Sequence, residues 1–198
     1  MNTKRIIGIY ASQDYGKTFL TRWLIEKQIA EHVPVFVYDT NFESKTNYAG
    51  LKNTFIVHTK TRSNMEDPAT FNQAILNLRS KQSNFFFVVE DIDKLFTTAG
   101  KTKETQESFK LSSDSRHQRI GMIYLSKTPT NIPPILRGNT NLFFFGNFVE
   151  PASKKYISEI VDKDLFKGIK KRQFVLYDVW EQKTARVEIS DGDLREIP

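Results

Sequence analysis

The residues best suited to chemistry lie near the start of the chain, where positions 11–18 read ASQDYGKT. They match the phosphate-binding pattern G-x-x-x-x-G-K-[ST] at every fixed position except the first, which is Ala11 instead of glycine. Gly16 lets the backbone approach a phosphate closely, and consecutive N–H groups of such a loop point into one anion-binding concavity. Lys17 can reach the β- and γ-phosphates of a nucleotide, and the Thr18 hydroxyl can bind Mg²⁺.

The elements around this loop agree with a phosphate site. The apolar run Ile6–Tyr10 predicts a strand before it, and apolar positions at helical spacing predict an amphipathic helix from Lys17. The positive end of the helix dipole favours an anion there. Ala11 lacks the freedom of glycine at positive φ, so we expect a negative φ at this position, and we expect the Asp14 carboxylate to point outward or pair with a cation. The residues predicted to bind ATP are Ser12, Gln13, Asp14, Tyr15, Gly16, Lys17, Thr18 and Phe19.

A pair of carboxylates follows the apolar run Phe85–Val89, which is typical of a strand buried on both faces. Nucleotide hydrolysis on a P-loop needs one acidic group to hold Mg²⁺ and one to orient the attacking water. By position we assign Glu90 to Mg²⁺, together with the threonine of the loop, and Asp91 to the water. The usual order is Asp then Glu, so the two could exchange roles, and Asp93 is a third candidate.

Strands and helices alternate along the chain, which predicts an α/β protein with a mostly parallel central sheet covered by helices on both faces. A β-hairpin is predicted at the C-terminal end, over about residues 172–190, with its turn at 181–183. The whole chain, 1–198, is interpreted as one domain. Strands are predicted at about 4–10, 35–39, 54–57, 85–89, 120–125 and 142–145, and helices at about 17–31, 68–79 and after Pro151.

Composition narrows the class of protein. The 198 residues include no cysteine, which excludes disulfides and thiolate metal sites, and the three histidines are scattered. The sequence has no recognisable signal peptide and no apolar stretch of the roughly 20 residues that a membrane span requires, so we expect a soluble intracellular protein. The formal net charge of +6 suits a polyanionic partner.

Two further segments carry a family resemblance. Residues 115–129 read SRHQRIGMIYLSKTP, and residues 132–137 read IPPILR. They resemble the R-H-x-x-(apolar strand)-[ST]-Q-x-P and P-x-x-L-R motifs of the HerA/FtsK superfamily of DNA-pumping ATPases. The order of motifs agrees along almost the whole chain, which looks most like the genome-packaging ATPases of membrane-containing icosahedral viruses with double-jelly-roll capsids. The resemblance implies a three-layer RecA-like P-loop fold.

The resemblance also implies roles for several side chains. Arg116 stands where the family has an arginine near the subunit interface, so it is the first candidate for a finger that stabilises the γ-phosphate of a neighbouring subunit. Arg119 and Arg137 are alternatives. Lys127 occupies the position of the usual sensor glutamine; it can contact the γ-phosphate as a point charge but cannot accept a hydrogen bond.

By the same resemblance, the protein is expected to be an ATPase with Mg²⁺ as cofactor that pumps double-stranded viral DNA into a preformed capsid. It would work as a homo-oligomeric ring, hexamer or pentamer, at a capsid vertex or membrane protein, in the host cytoplasm or the virion. Our hypothesis for the channel-facing loop is residues 97–115, which we expect to be mobile and to touch the DNA backbone through Lys101, Lys103 and Lys110.

Other functions remain open on the sequence. They are a conjugation or export motor of the same superfamily, a small-molecule kinase with a P-loop, and a nucleotide-dependent interaction module without turnover. A second basic cluster spans residues 167–172. We expect it to be a solvent-exposed turn, with DNA or capsid contact as the functional alternative.

Overall fold

The computed structural model describes residues 5–40, 47–58, 61, 65–96, 120–148 and 150–198. Within these ranges the chain forms one sheet of nine strands in the order β3-β2-β4-β5-β1-β6-β7-β8-β9. The strands are β1 (Ile6–Tyr10), β2 (Val35–Asp39), β3 (Thr54–Val57), β4 (Phe85–Glu90), β5 (Ile120–Ser126), β6 (Leu142–Phe145), β7 (Gln173–Asp178), β8 (Lys183–Ser190) and β9 (Asp193–Ile197).

The sheet has a parallel part and an antiparallel part. Strands β3, β2, β4, β5, β1 and β6 pair in parallel, whereas β6, β7, β8 and β9 pair in antiparallel fashion. The mostly parallel α/β fold is therefore confirmed, as is the C-terminal hairpin of β7 and β8. Sequence reasoning missed β9, because its residues are largely exposed and polar and lack the apolar alternation that marks a strand.

Helices cover both faces of the sheet and complete three layers. Helix α1 (Lys17–Leu24) packs on one face, and α2 (Pro68–Lys81), α3 (Pro134–Asn139) and α4 (Pro151–Ser158) pack on the other. The helix predicted over 17–31 is shorter, because α1 passes into a π-helical segment at Ile25–Ile29. None of the helices in the described part of the chain is long and apolar enough to cross a membrane.

Helix α2 illustrates how local chemistry fixes an element. The Asp67 side chain accepts hydrogen bonds from the backbone N–H groups of Ala69 and Thr70 and so caps the helix. Pro68 occupies the first turn, as predicted, where its missing N–H has no cost. Phe71 and Ile75 then face the core one turn apart.

Strand order decides what can meet at the functional edge. The carboxyl ends of parallel strands lie at one edge of a sheet, so the residues that follow them are neighbours there. Strand β5 lies between β1, which leads into the phosphate loop, and β4, which ends in the carboxylates. Residues that follow β5 therefore lie between the two halves of the predicted site.

Candidate nucleotide site

The phosphate loop connects β1 to α1 and contains two left-handed residues. Asp14 has φ of 58° and Gly16 has φ of 112°. The second value is accessible to glycine and strained for other residues, which explains why glycine is needed next to Lys17. Ala11 has no positive φ, as predicted from its residue type.

The alanine at the first motif position is accommodated by a glycine elsewhere. Ala11 is fully buried, and its N–H donates to the carbonyl of Ser126 at the end of β5. Gly146 follows β6, where a Cβ would lie 2.6 Å from Ala11 Cβ and 2.5 Å from a ring carbon of Tyr15. Those distances are far too short for carbon contacts, so a loop that carries Ala11 and Tyr15 requires glycine at position 146, directly after β6.

Lys17 is the first residue of α1, and its side chain reaches back to the start of the phosphate loop. Its ammonium donates hydrogen bonds to the carbonyls of Ala11, at 2.8 Å, and Ser12, at 2.9 Å. Burial lowers the pKa of Lys17, and the neighbouring Asp91 carboxylate opposes this effect. The ammonium is thus held at the floor of the loop, where a phosphate bound by the backbone N–H groups would lie.

Glu90 is a buried carboxylate at the end of β4. It is paired in register with Asp39, the last residue of β2, and only 6% of it is exposed. The hydroxyl of Tyr48 donates a hydrogen bond to Oε1 of Glu90. Burial raises the pKa of Glu90 to about 7; the hydrogen bond from Tyr48 opposes this, and Asp91 and Asp39 add to it.

Tyr48 is itself fixed by its surroundings. Burial and the Glu90 carboxylate raise the pKa of Tyr48 well above its ordinary value, so its hydroxyl remains protonated and acts as the donor. Arg22 of α1 donates to the carbonyl of Asn47 at 2.8 Å and to that of Ala49 at 3.3 Å, which ties the turn that carries Tyr48 to the helix after the phosphate loop.

Asp91 and Lys127 form an ion pair in the middle of the site. Asp91 directly follows β4 in a left-handed conformation (φ 41°, ψ 53°). Lys127 follows β5, and its Nζ lies 3.3 Å from Oδ2 of Asp91. The side chain of Lys127 is 40% exposed, so it can move toward a ligand. A lysine at the sensor position therefore contacts the second carboxylate of the site.

These groups line one open cleft of about 380 Å³. Among the predicted residues, the cleft brings together Gln13, Asp14, Gly16, Lys17, Thr18, Glu90, Asp91 and Lys127. The hydroxyl and carboxylate oxygens are hard ligands, which suit Mg²⁺, an ion that takes one or two carboxylates together with substrate phosphates. Thr18 and Glu90 thus have the right chemistry for the metal.

Three predicted nucleotide-binding residues do not line this cleft. Ser12 contributes its carbonyl to Lys17, and the buried Tyr15 donates its hydroxyl to the carbonyl of Lys170 at 2.5 Å. Phe19 is exposed, and the guanidinium of Arg172 lies 4.6 Å from its ring centre. The alternative carboxylate Asp93 belongs to a short 3₁₀ turn, Ile92–Lys94, and is likewise absent from the lining.

Candidate residues for subunit and DNA contacts are largely untested. Arg116, Arg119, the 97–115 loop and its lysines Lys101, Lys103 and Lys110 lie outside the described residues. Arg137 is described: it belongs to α3, and its guanidinium lies 4.6 Å from the ring centre of Tyr156.

Sequence reasoning did not assign Asp39, Asn47 and Lys171, which line the cleft, or Tyr48, which lies behind Glu90 as its hydrogen-bond donor. Asp39 carried a signal, since it is an acidic residue at the end of a buried strand, as Glu90 is. Asn47 and Tyr48 carried none, because they lie outside every recognised motif. Lys171 comes from the basic cluster at 167–172, which is largely solvent-exposed, as expected, and Lys171 in addition lines the cleft.

Comparison with known proteins identifies the fold. No protein-family model and no curated protein sequence matches the chain. Among solved structures, it is similar to the genome-packaging NTPase B204 of Sulfolobus turreted icosahedral virus 2 in complex with ATPγS, with TM-score 0.71, 18% identity, and coverage of 94% of this chain and 98% of that one. The chain has a P-loop ATPase fold.

Two other solved structures extend the likeness. The DNA-packaging ATPase B204 of Sulfolobus turreted icosahedral virus superposes with TM-score 0.73 and 18% identity, over 94% of this chain and 98% of that one. The pCW3 conjugation coupling protein TcpA superposes with TM-score 0.66 and 14% identity, over 93% of this chain and 60% of that one. The fold expected from the HerA/FtsK resemblance is therefore confirmed.

Proposed function

We propose that this protein is an ATP-hydrolysing motor that translocates viral double-stranded DNA into a preformed capsid. The observation that carries the proposal is the cleft in which Lys17 and the Glu90–Asp91 pair meet at one edge of the sheet. It is supported by the likeness to B204, described as a DNA-packaging ATPase, over nearly the full length of both chains.

In this proposal, each residue of the cleft has a separate role in ATP hydrolysis. Lys17 and the loop N–H groups bind the β- and γ-phosphates, and Thr18 and Glu90 would hold Mg²⁺, which would neutralise phosphate charge. Asp91 orients a water whose oxygen bonds to the γ-phosphorus while the bond to the β–γ bridging oxygen breaks. The proton of that water passes to Asp91 and then to solvent. Lys127, paired with Asp91, supplies positive charge to the γ-phosphate.

Coupling of hydrolysis to transport requires more than one subunit. We propose a hexameric or pentameric ring in which Arg116 reaches the γ-phosphate of the neighbouring subunit. The 97–115 loop, with Lys101, Lys103 and Lys110, would contact the DNA backbone, giving binding that is independent of sequence and weakened by salt. The motor would be attached to a capsid vertex or membrane protein, in the host cytoplasm or the virion.

The test is ATPase activity of the purified protein with and without duplex DNA. We expect DNA to stimulate turnover, and Lys17→Ala to reduce it by at least about 100-fold, because the main positive charge on the phosphates is lost. Turnover without any DNA dependence would contradict a motor. If the wild-type protein hydrolyses no ATP, with or without DNA, a nucleotide-dependent interaction module is the better assignment.

A conjugation or export motor is the second candidate, and the likeness to the conjugation coupling protein TcpA favours it. Both candidates predict DNA-stimulated hydrolysis, so a different measurement is needed. The viral assignment additionally predicts that the protein co-sediments with empty capsids of its virus. A DNA-stimulated ATPase that fails to bind capsids would favour the second candidate.

A further inference from the structure

Lys171 reaches the nucleotide cleft through an unusual turn. Residues 168–172 lead into β7, and the backbone has positive φ at both ends of this turn, 69° at Gly168 and 69° at Arg172. A left-handed conformation is uncommon for a residue other than glycine, so the fold must hold Arg172 in place by specific contacts.

Those contacts come from the phosphate loop and the helix after it. The N–H of Arg172 donates to the carbonyl of Tyr15 at 3.0 Å, and the Tyr15 hydroxyl donates to the carbonyl of Lys170 at 2.5 Å. The guanidinium of Arg172 stacks over the ring of Phe19 at 4.6 Å. Lys171 is therefore anchored to the phosphate loop by the residue on each side of it.

Lys171 differs from the other two lysines that line the cleft. The ammonium of Lys17 is bound by two carbonyls, and that of Lys127 is paired with Asp91. Within the described part of the chain, the Lys171 side chain makes no hydrogen bond or ion pair. A cation held at the mouth of an anion site, with its hydrogen-bonding capacity unused, is suited to an anionic ligand.

We infer that Lys171 binds the phosphates of the nucleotide in cis, from the turn before β7. The inference rests on the proposed nucleotide binding and adds a residue that no motif identifies. Because the turn continues directly into β7, a phosphate bound by Lys171 also connects the nucleotide to the antiparallel strands at the C-terminal end.

The experiment compares Lys171→Ala with Lys170→Ala. Lys170 belongs to the same turn and loses the same charge on substitution, but its side chain does not line the cleft, and its contact to Tyr15 uses the backbone carbonyl. Affinity for a fluorescent ATP analogue with Mg²⁺ is measured for both variants and the wild type, and inorganic tripolyphosphate is used as competitor. Lys171→Arg and the thermal unfolding temperature of each protein control for charge retention and folding.

We expect Lys171→Ala to lower the affinity for both the ATP analogue and tripolyphosphate about tenfold. This loss lies between that expected for an exposed ion pair and that expected for a charge-assisted hydrogen bond. Lys170→Ala should have an affinity within about twofold of the wild type, and Lys171→Arg should retain most of the wild-type affinity. Equal effects of the two alanine variants would overturn the inference about Lys171 but not the proposed function. The same holds if Lys171→Ala lowers the affinity for the ATP analogue but not for tripolyphosphate. A wild-type protein that binds no nucleotide would overturn the proposed function as well.

Discussion

Glu90→Gln should stabilise the protein at pH 8 and have a much smaller effect at pH 5. The pKa of Glu90 in the folded state is about 7, compared with 4.5 for an exposed glutamate. The folded state therefore binds more protons than the unfolded state between these values, and stability falls as the pH rises through them. Glutamine avoids this cost because it does not ionise, and its oxygen can still accept the hydrogen bond from Tyr48.

The magnitude follows from the size of the pKa shift. A pKa shift of one unit corresponds to about 1.4 kcal/mol, so the raised pKa of Glu90 lowers the free energy of unfolding by about 3 kcal/mol at pH 8 and by under about 1 kcal/mol at pH 5. For a chain of this length, 3 kcal/mol corresponds to roughly 6–12 °C in Tm. We therefore expect Glu90→Gln to raise Tm by about that amount at pH 8.

The assay is thermal and urea unfolding at pH 5 and pH 8, in EDTA and without nucleotide, so that neither metal nor ATP contributes. Glu181→Gln is the matched control, because Glu181 is exposed in the turn between β7 and β8. Its free energy of unfolding should change by less than about 0.5 kcal/mol at either pH. Equal stabilisation by Glu90→Gln at both pH values, or none at pH 8, would refute the assignment of a buried carboxylate whose ionisation opposes folding.

Three other substitutions test neighbouring contacts. Gly146→Ala would place a Cβ 2.5 Å from the phosphate loop, so we expect about 1–3 kcal/mol lower stability in urea and weaker nucleotide binding; wild-type behaviour would contradict this packing. Lys127→Gln removes the partner of Asp91 and charge near the γ-phosphate, so kcat should fall about tenfold with KM little changed, whereas an effect on KM alone would argue against this role. Tyr48→Phe removes the hydrogen bond that lowers the pKa of Glu90, so the acidic limb of the pH–rate profile should move to higher pH. An acidic limb at the same pH as in the wild type would argue against Glu90 as the ionised metal ligand.

Local sequence patterns predicted most of the elements that carry the site. The phosphate loop has a recognisable spacing because its fixed positions each have a separate geometric requirement. The apolar run before Glu90 is typical of a buried strand. Secondary structure was predicted less well from the sequence where the residues are exposed. Strand β9 is held by pairing with β8 rather than by burial of an apolar face, so its sequence resembles a loop.

Several features of the site depend on contacts between distant parts of the chain. Gly146 makes room for Ala11 although 135 positions separate it from that alanine, as their residue numbers show. Tyr48 reaches Glu90 from a turn that no motif marks. Neither pairing can be recognised from local residue patterns. The first depends on the space between two elements and the second on a hydrogen bond between two elements, whereas local patterns report the conformation of a single element.

The sequence alone determined that this protein has a phosphate loop, a pair of carboxylates after a buried strand and an α/β alternation, since these depend on residue type and spacing over short distances. The tertiary structure decided which groups face one another. Strand β5 lies between β1 and β4, so Lys127 meets Asp91, and the turn before β7 closes onto the phosphate loop, so Lys171 joins the cleft. Strand order and loop docking are set by burial across the whole sheet, and that information is distributed along the entire chain.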